Sequence, residues 1–212
     1  MNGLVRICLG IFLLTTGCIE ERKLHLSLPD SEPIKRTLGA FYISNVADKR
    51  RFEQNPRKLS TPSVKGYLRT YPKEKLPTIV GRYSSLSNDY WNVMLEEGMT
   101  TETSVRRLLE TGLKRQGYSI TDEFGGEHRM AVEIKQFWAW PVAIIKQEGL
   151  FHAIIECDLV IQSGNRSINI TVKGHGVEEP RIGSESIWEI VYRAAIGDFM
   201  NNLNQELRRH QL

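Results

Sequence analysis

Few side chains in this sequence have the type and spacing for covalent or metal chemistry. The 212 residues hold three cysteines, Cys8, Cys18 and Cys157, and five histidines, His25, His128, His152, His175 and His210. A disulfide framework needs paired cysteines at regular spacings, and none is present. Cys8 lies within an apolar N-terminal run and Cys18 just beyond it, which leaves Cys157 as the thiol of the remaining chain. Its neighbours at every second position, Ala153, Ile155, Leu159 and Ile161, place Cys157 on the inner face of a strand. A reactive thiol needs an exposed, electropositive setting instead. The histidines include no close pair at zinc-ligand spacing. No G-x-S-x-G elbow exists for a serine nucleophile. Gly174-His175-Gly176 lacks the third glycine and the following helix of a phosphate cradle. These patterns predict no catalytic residue, no metal and no cofactor.

Cys18 is different, because what precedes it gives the thiol a task. Met1 to Gly17 has a positive residue, Arg6, a short apolar run from Ile7 to Leu14, and the small residues Thr15-Thr16-Gly17. That is the layout of a secretory leader. The run is far below the roughly 20 apolar residues that span a bilayer. The segment LLTTGC resembles the bacterial lipobox, with Thr15 where Leu is usual and Leu14 one place earlier. The resemblance implies cleavage after Gly17 and lipid attached to Cys18 as a thioether. Each buried CH2 contributes about 0.8 kcal/mol, so two or more acyl chains hold a protein stably. Ile19 at the next position fits outer-membrane sorting with the domain facing the periplasm, given a Gram-negative source.

Two further features could make contacts. From Glu20 to Arg82 there are 14 Lys/Arg against 7 Asp/Glu, a net +7, whereas from Tyr83 onward the balance is 13 against 18. A basic stretch beside an anchor is attracted to anionic headgroups. It reads equally as a solvated, mobile arm. Lys49, Arg50 and Arg51 are its densest cluster. The second feature is Gln136-Phe137-Trp138-Ala139-Trp140-Pro141, in which Trp138 and Trp140 share one face of a strand and Pro141 ends the pairing. The pair is either an apolar contact surface or core packed under the C-terminal helix near Trp188 and Tyr192.

The elements that must position these residues follow from periodicity. Residues 1–17 are expected to be leader, 18–36 the lipidated N-terminus and tether (with a strand at Lys23 to Leu28), and 37–212 one domain. Thr37 to Val46 is aromatic and β-branched, a strand pattern. Residues 49–99 contain Pro56, Pro62, Pro72 and Pro77 and read as a long irregular loop, with a short strand at Pro77 to Tyr83. Val105, Leu108, Leu109 and Leu113 define a helix capped by Thr100 or Thr101 and ended by Gly117. Three strands follow, Met130 to Trp140, Gly149 to Gln162 and Ser167 to Gly176, the last two joined as a hairpin. Ser186 with Glu189 forms a capping box for a final helix reaching Arg209. The whole predicts an α+β domain, a mostly antiparallel sheet of four to five strands with two helices packed on one face.

Taken together, FYISNVADKRRFEQNP, STPSVKG, GRYSS, LEEGMTTETSVRRLLETGLKRQGY and VEIKQFWAW resemble uncharacterised bacterial lipoproteins related to the YajG group. Such domains are similar in layout to auxiliary lipoproteins of envelope transport systems, which hold partner proteins or lipids and catalyse nothing. The resemblance implies a non-enzymatic accessory or assembly subunit that binds another envelope component, with the membrane as a second partner and no nucleic acid. The alternative is a periplasmic module binding a lipid or a cell-wall fragment in an apolar pocket around Trp138 and Trp140.

Overall fold

One long strand organises the sheet. In the computed structural model, which describes residues 22–28, 30, 37–84, 90–123, 125, 127–144, 147–180 and 186–212, that strand is β6, His128–Ile144. The leader, Gly17, Cys18 and most of the expected tether lie outside the described residues. Along one edge β6 pairs antiparallel with β7 (Gln147–Ser163), which turns back into β8 (Arg166–Glu178). The other edge of β6 is shared between two partners. Its first half runs parallel to β2 (Gly39–Asp48), and its second half meets β3 (Ile79–Ser84) at the pair Gly81–Ala139. Outward from these, β2 carries β5 (Tyr118–Thr121), β3 carries β4 (Tyr90–Leu95), and β4 carries β1 (Arg22–Leu24).

Among the described residues the sheet therefore has eight strands and is mixed, not a mostly antiparallel sheet of four to five. The pairs β1–β4, β2–β5, β2–β6 and β3–β6 are all parallel. Parallel partners are distant in sequence and leave no turn between them, and of the pairings only the β7–β8 hairpin was legible. Strand β4 was hidden for another reason. Its Tyr-Trp-Asn-Val-Met-Leu run does not alternate because both faces are covered: Val93 joins the main core and Met94 a second apolar cluster. The expected loop over 49–99 thus contains β3, β4 and two short 3-10 turns, Leu68–Thr70 and Lys73–Thr78. Its first part, 49–78, is the irregular portion.

Helices α1 (Thr101–Arg115) and α2 (Ile187–Arg209) share one core with the sheet, built on Leu108, Leu109, Val191, Tyr192 and Phe199. The Thr100 hydroxyl caps α1 by accepting from the Thr103 amide, and Thr103 accepts in return from Thr100. Gly117 follows at φ +95°, the left-handed conformation that ends the helix. The box expected at α2 does not form. Ser186 is its N-cap, but its side chain makes no capping bond, and the Glu189 amide bonds to the Ser186 carbonyl.

The outer edge of β8 is closed by α2. Asp198 accepts from the His175 amide at 2.9 Å, and Asn202 donates to the Lys173 carbonyl at 2.8 Å. This approach needs the glycines that the sequence places at 174 and 176. A Cβ at Gly174 would lie 2.2 Å from the Ala195 carbonyl oxygen, and one at Gly176 2.2 Å from that of Val191. Pro141 does not end the pairing of β6 as expected, since Pro141 and Val142 remain in register with Phe151 and Leu150. Past Ala139 the second edge of β6 has no partner strand among the described residues, and there a missing amide donor costs no ladder bond.

Candidate functional site

The candidate surfaces all lie on the sheet face opposite the helices, and a bulge determines what reaches it. Between Ile134 and Gln136 the register of β6 against β7 shifts by a residue. A bulge reverses which alternate residues face which side. Before it Met130, Val132 and Ile134 enter the helix-side core; after it Phe137 and Ala139 do, with Phe137 stacked on Tyr192 at 5.2 Å. Trp138 and Trp140 are consequently turned away from α2. They are buried nonetheless, in a second cluster with Val64, Ile79 and Met94, flanked by Phe52, Leu68, Tyr71 and Leu76. The Trp138 indole donates to the Leu59 carbonyl at 3.0 Å. Segment 49–78 is thus a cap over the tryptophans, neither a mobile arm nor a loop clear of the sheet. The space around both indoles is occupied by the chain's own side chains.

The cap is secured by Arg50. Its guanidinium donates to the carbonyls of Ile79 (2.7 Å), Phe137 (2.9 Å) and Leu76 (3.0 Å), and forms a two-point pair with Asp48 at 2.9 and 2.7 Å. These carbonyls mark the seam where β6 exchanges β2 for β3 as its partner. There the ladder lapses, and the guanidinium supplies the donors that a strand would have supplied. Thr101 at the start of α1 also donates to Asp48, at 3.0 Å. Of the three basic residues read as contacts, Arg50 is therefore an internal tie, while Lys49 and Arg51 are exposed. A run of three cations gave no sign that the middle one turns inward. Only the following Phe52, which packs edge-on to Trp138, hints at it.

Beyond the cap the face is open. Trp140 stacks on His152 at 5.3 Å, and His152 Nδ1 lies 3.2 Å from His175 Nε2, so neighbouring strands bring together two histidines that are far apart in sequence. Partial burial holds the His152 imidazole below its ordinary pKa, and the adjacent His175 adds to the effect. Farther along, β2, β6, β7 and β8 form a shallow groove of about 670 Å³ lined by Asn45, Lys49, Glu133, Asp158, Val160 and Asn169. Lys135 bridges Glu133 and Asp158 beside it, at 2.6 and 3.5 Å. Among the described residues no group of three or more His, Cys, Asp or Glu side chains is placed to hold a metal.

Cys157 lies at the centre of the helix-side core, fully buried. Burial pushes its thiol far above the usual range, reinforced by the charges of Asp158, Glu156 and Asp48. In the native protein Cys157 should resist alkylation by iodoacetamide and react promptly once denaturant is added. Equal rates in both states, followed by mass spectrometry, would disprove this placement.

No family model matches the chain, and no curated protein resembles it. Some solved structures are similar at low identity. An uncharacterised protein shares 12% identity at a TM-score of 0.43, over 87% of this chain and 96% of that one. A DUF330-family protein of Xanthomonas campestris shares 10% at a TM-score of 0.37, over 86% and 87%. A provisionally assigned lipoprotein of Caulobacter crescentus shares 10% at a TM-score of 0.27, over 52% and 77%. Likenesses this distant do not single out the YajG group and carry no argument about function.

Proposed function

We propose that this chain is a non-enzymatic lipoprotein of the bacterial envelope, lipidated at Cys18 after cleavage at Gly17, that serves as an accessory or assembly subunit for another envelope component. The observation that carries the reading is the leader ending in LLTTGC. The geometry supports it in one respect: β1 begins at Arg22, four residues after Cys18, a stretch that spans at most about 14 Å. The domain is thus held directly over the membrane to which Cys18 is fixed, in this reading the periplasmic side of an outer membrane. Among the described residues no helix is long and apolar enough to cross a membrane, which says nothing of strand-built barrels. The partner surface assigned here is the open groove around Val160 and Asn169, because Trp138 and Trp140 are covered.

The anchor is tested by growing cells on a labelled fatty acid. The wild-type chain should take up label and Cys18→Ser should not; undiminished labelling of the variant sinks the anchor. The partner is tested with a photo-crosslinking residue in place of Asn169 in cells. A single recurring adduct with an envelope protein supports the accessory role. A monomer with no adduct at Asn169, under conditions where a control position crosslinks, counts against it.

A further inference from the structure

We infer that the outer surface of the 49–78 cap is a seat for an anionic phospholipid surface, holding the domain against the bilayer in one orientation. The inference rests on the lipid anchor proposed above but concerns contacts that need no acyl chain. Segment 49–78 carries nine Lys/Arg against two Asp/Glu, a net +7 in a chain whose total is +3. One of the nine, Arg50, is consumed inside the fold. Lys49, Arg51, Arg57, Lys58, Arg69 and Lys73 are exposed, and none is engaged in an ion pair among the described residues. Positive charge that is left unneutralised on a folded surface, beside a membrane, is attracted to phosphate headgroups. The cap also displays apolar groups to solvent: Tyr67 is 77% exposed and Leu59 47%. A tyrosine among lysines and arginines is the pairing that settles at headgroup level, the ring in the interface and the cations on phosphates. Tyr67 is spare in this sense, since the cap's packing on the sheet is done by Phe52, Leu68, Tyr71 and Leu76.

The fold brings this surface to the anchored end of the molecule. Arg22, where the chain enters β1, is in register with Val93 of β4. The preceding residue, Asn92, holds the cap by accepting from the Lys65 amide at 2.9 Å and donating to the Tyr71 hydroxyl at 3.2 Å. Strand β1 and the cap therefore meet on the same stretch of β4, a few residues of chain from Cys18. A lipid surface is the polyanion that this anchor brings within reach, which favours it over nucleic acid or an acidic protein.

The test uses the full chain carrying Cys18→Ser, so that no acyl chain contributes, in sedimentation with vesicles of phosphatidylcholine alone or mixed with phosphatidylglycerol. The retained leader contributes equally to every arm. Binding should be much stronger to the mixed vesicles and should fall as salt is added. Reversing two cap charges, Arg57→Glu with Arg69→Glu, should weaken it roughly tenfold or more. The matched reversal elsewhere, Arg166→Glu with Arg208→Glu, should change it little, and Tyr67→Ser should weaken binding at high salt, where the charge contribution is screened. Circular dichroism confirms that each variant is folded. Equal binding to both vesicle types overturns the inference, as does equal loss from both charge reversals. Equally tight binding to a single-stranded oligonucleotide would overturn the assignment to lipid. Loss of fatty-acid labelling in cells is a separate readout, so the anchor and the seat fail independently.

Discussion

Replacing Arg50 with methionine should lower the free energy of unfolding by about 3–5 kcal/mol, the cost of breaking a buried pair from one side. The side chain is fully buried and Asp48 nearly so, so the substitution strands a carboxylate together with the carbonyls of Ile79, Phe137 and Leu76. Methionine fills much of the volume, which keeps the loss one of hydrogen bonding rather than of cavity formation. Arg50→Lys should recover only part of the loss, because an ammonium cannot hold two carboxylate oxygens and two strands at once. Denaturant unfolding at constant slope measures both. A midpoint unchanged in Arg50→Met would mean that the seam between β2 and β3 does not depend on this residue. Limited proteolysis adds a second reading: the 49–78 cap should be cut faster in the variant, since Leu76 and Ile79 lose their tie.

A comparable loss is expected from a single added methyl. Gly174→Ala should destabilise by about 3 kcal/mol, at the upper end of the overpacking range. The new carbon would meet the Ala195 carbonyl at 2.2 Å and the Phe199 amide nitrogen at 2.6 Å, both backbone atoms of α2 that have no rotamer to adopt. The helix would have to lift from β8 and give up its bonds to Lys173 and His175. Gly197, in the same helix, has nothing within 4 Å of the corresponding position. Gly197→Ala should therefore stabilise, by about 0.8 kcal/mol, through helix propensity alone. Opposite shifts in thermal midpoint from two glycines on either side of one helix would be hard to obtain if α2 were not seated as described. Equal shifts would refute the seating.

What the sequence disclosed was local, and what it concealed was the result of long-range contact. Both helices, the β7–β8 hairpin and the burial of Cys157 could be read from spacing, because each depends on residues a turn or a strand apart. The destination of Trp138 and Trp140 could not. A one-residue bulge near Lys135 sends them to the opposite face from Trp188, and nothing in Ile134-Lys135-Gln136 marks it. The short strand read at Pro77 to Tyr83 is β3, whereas β4 was obscured by a segment whose prolines suggested an irregular loop, although the cap is pinned by Arg50 and the Trp138 indole. His152 and His175 read as isolated for the same reason: antiparallel pairing of β7 and β8 brings them within hydrogen-bonding distance across 23 residues of chain.

The closure of β8 by Asp198 and Asn202 matters beyond stability. A protein tethered to a membrane by lipid is confined to a thin layer, where neighbours meet far more often than they would in solution. In such crowding an unprotected strand of 13 residues would invite another copy to pair alongside it. Here the middle of that edge is already engaged by the protein's own helix. The strands at the other margins, β1 and β5, are only three and four residues long. With the lipid anchor proposed above, the molecule would gather at a surface with the middle of its 13-residue edge strand already engaged.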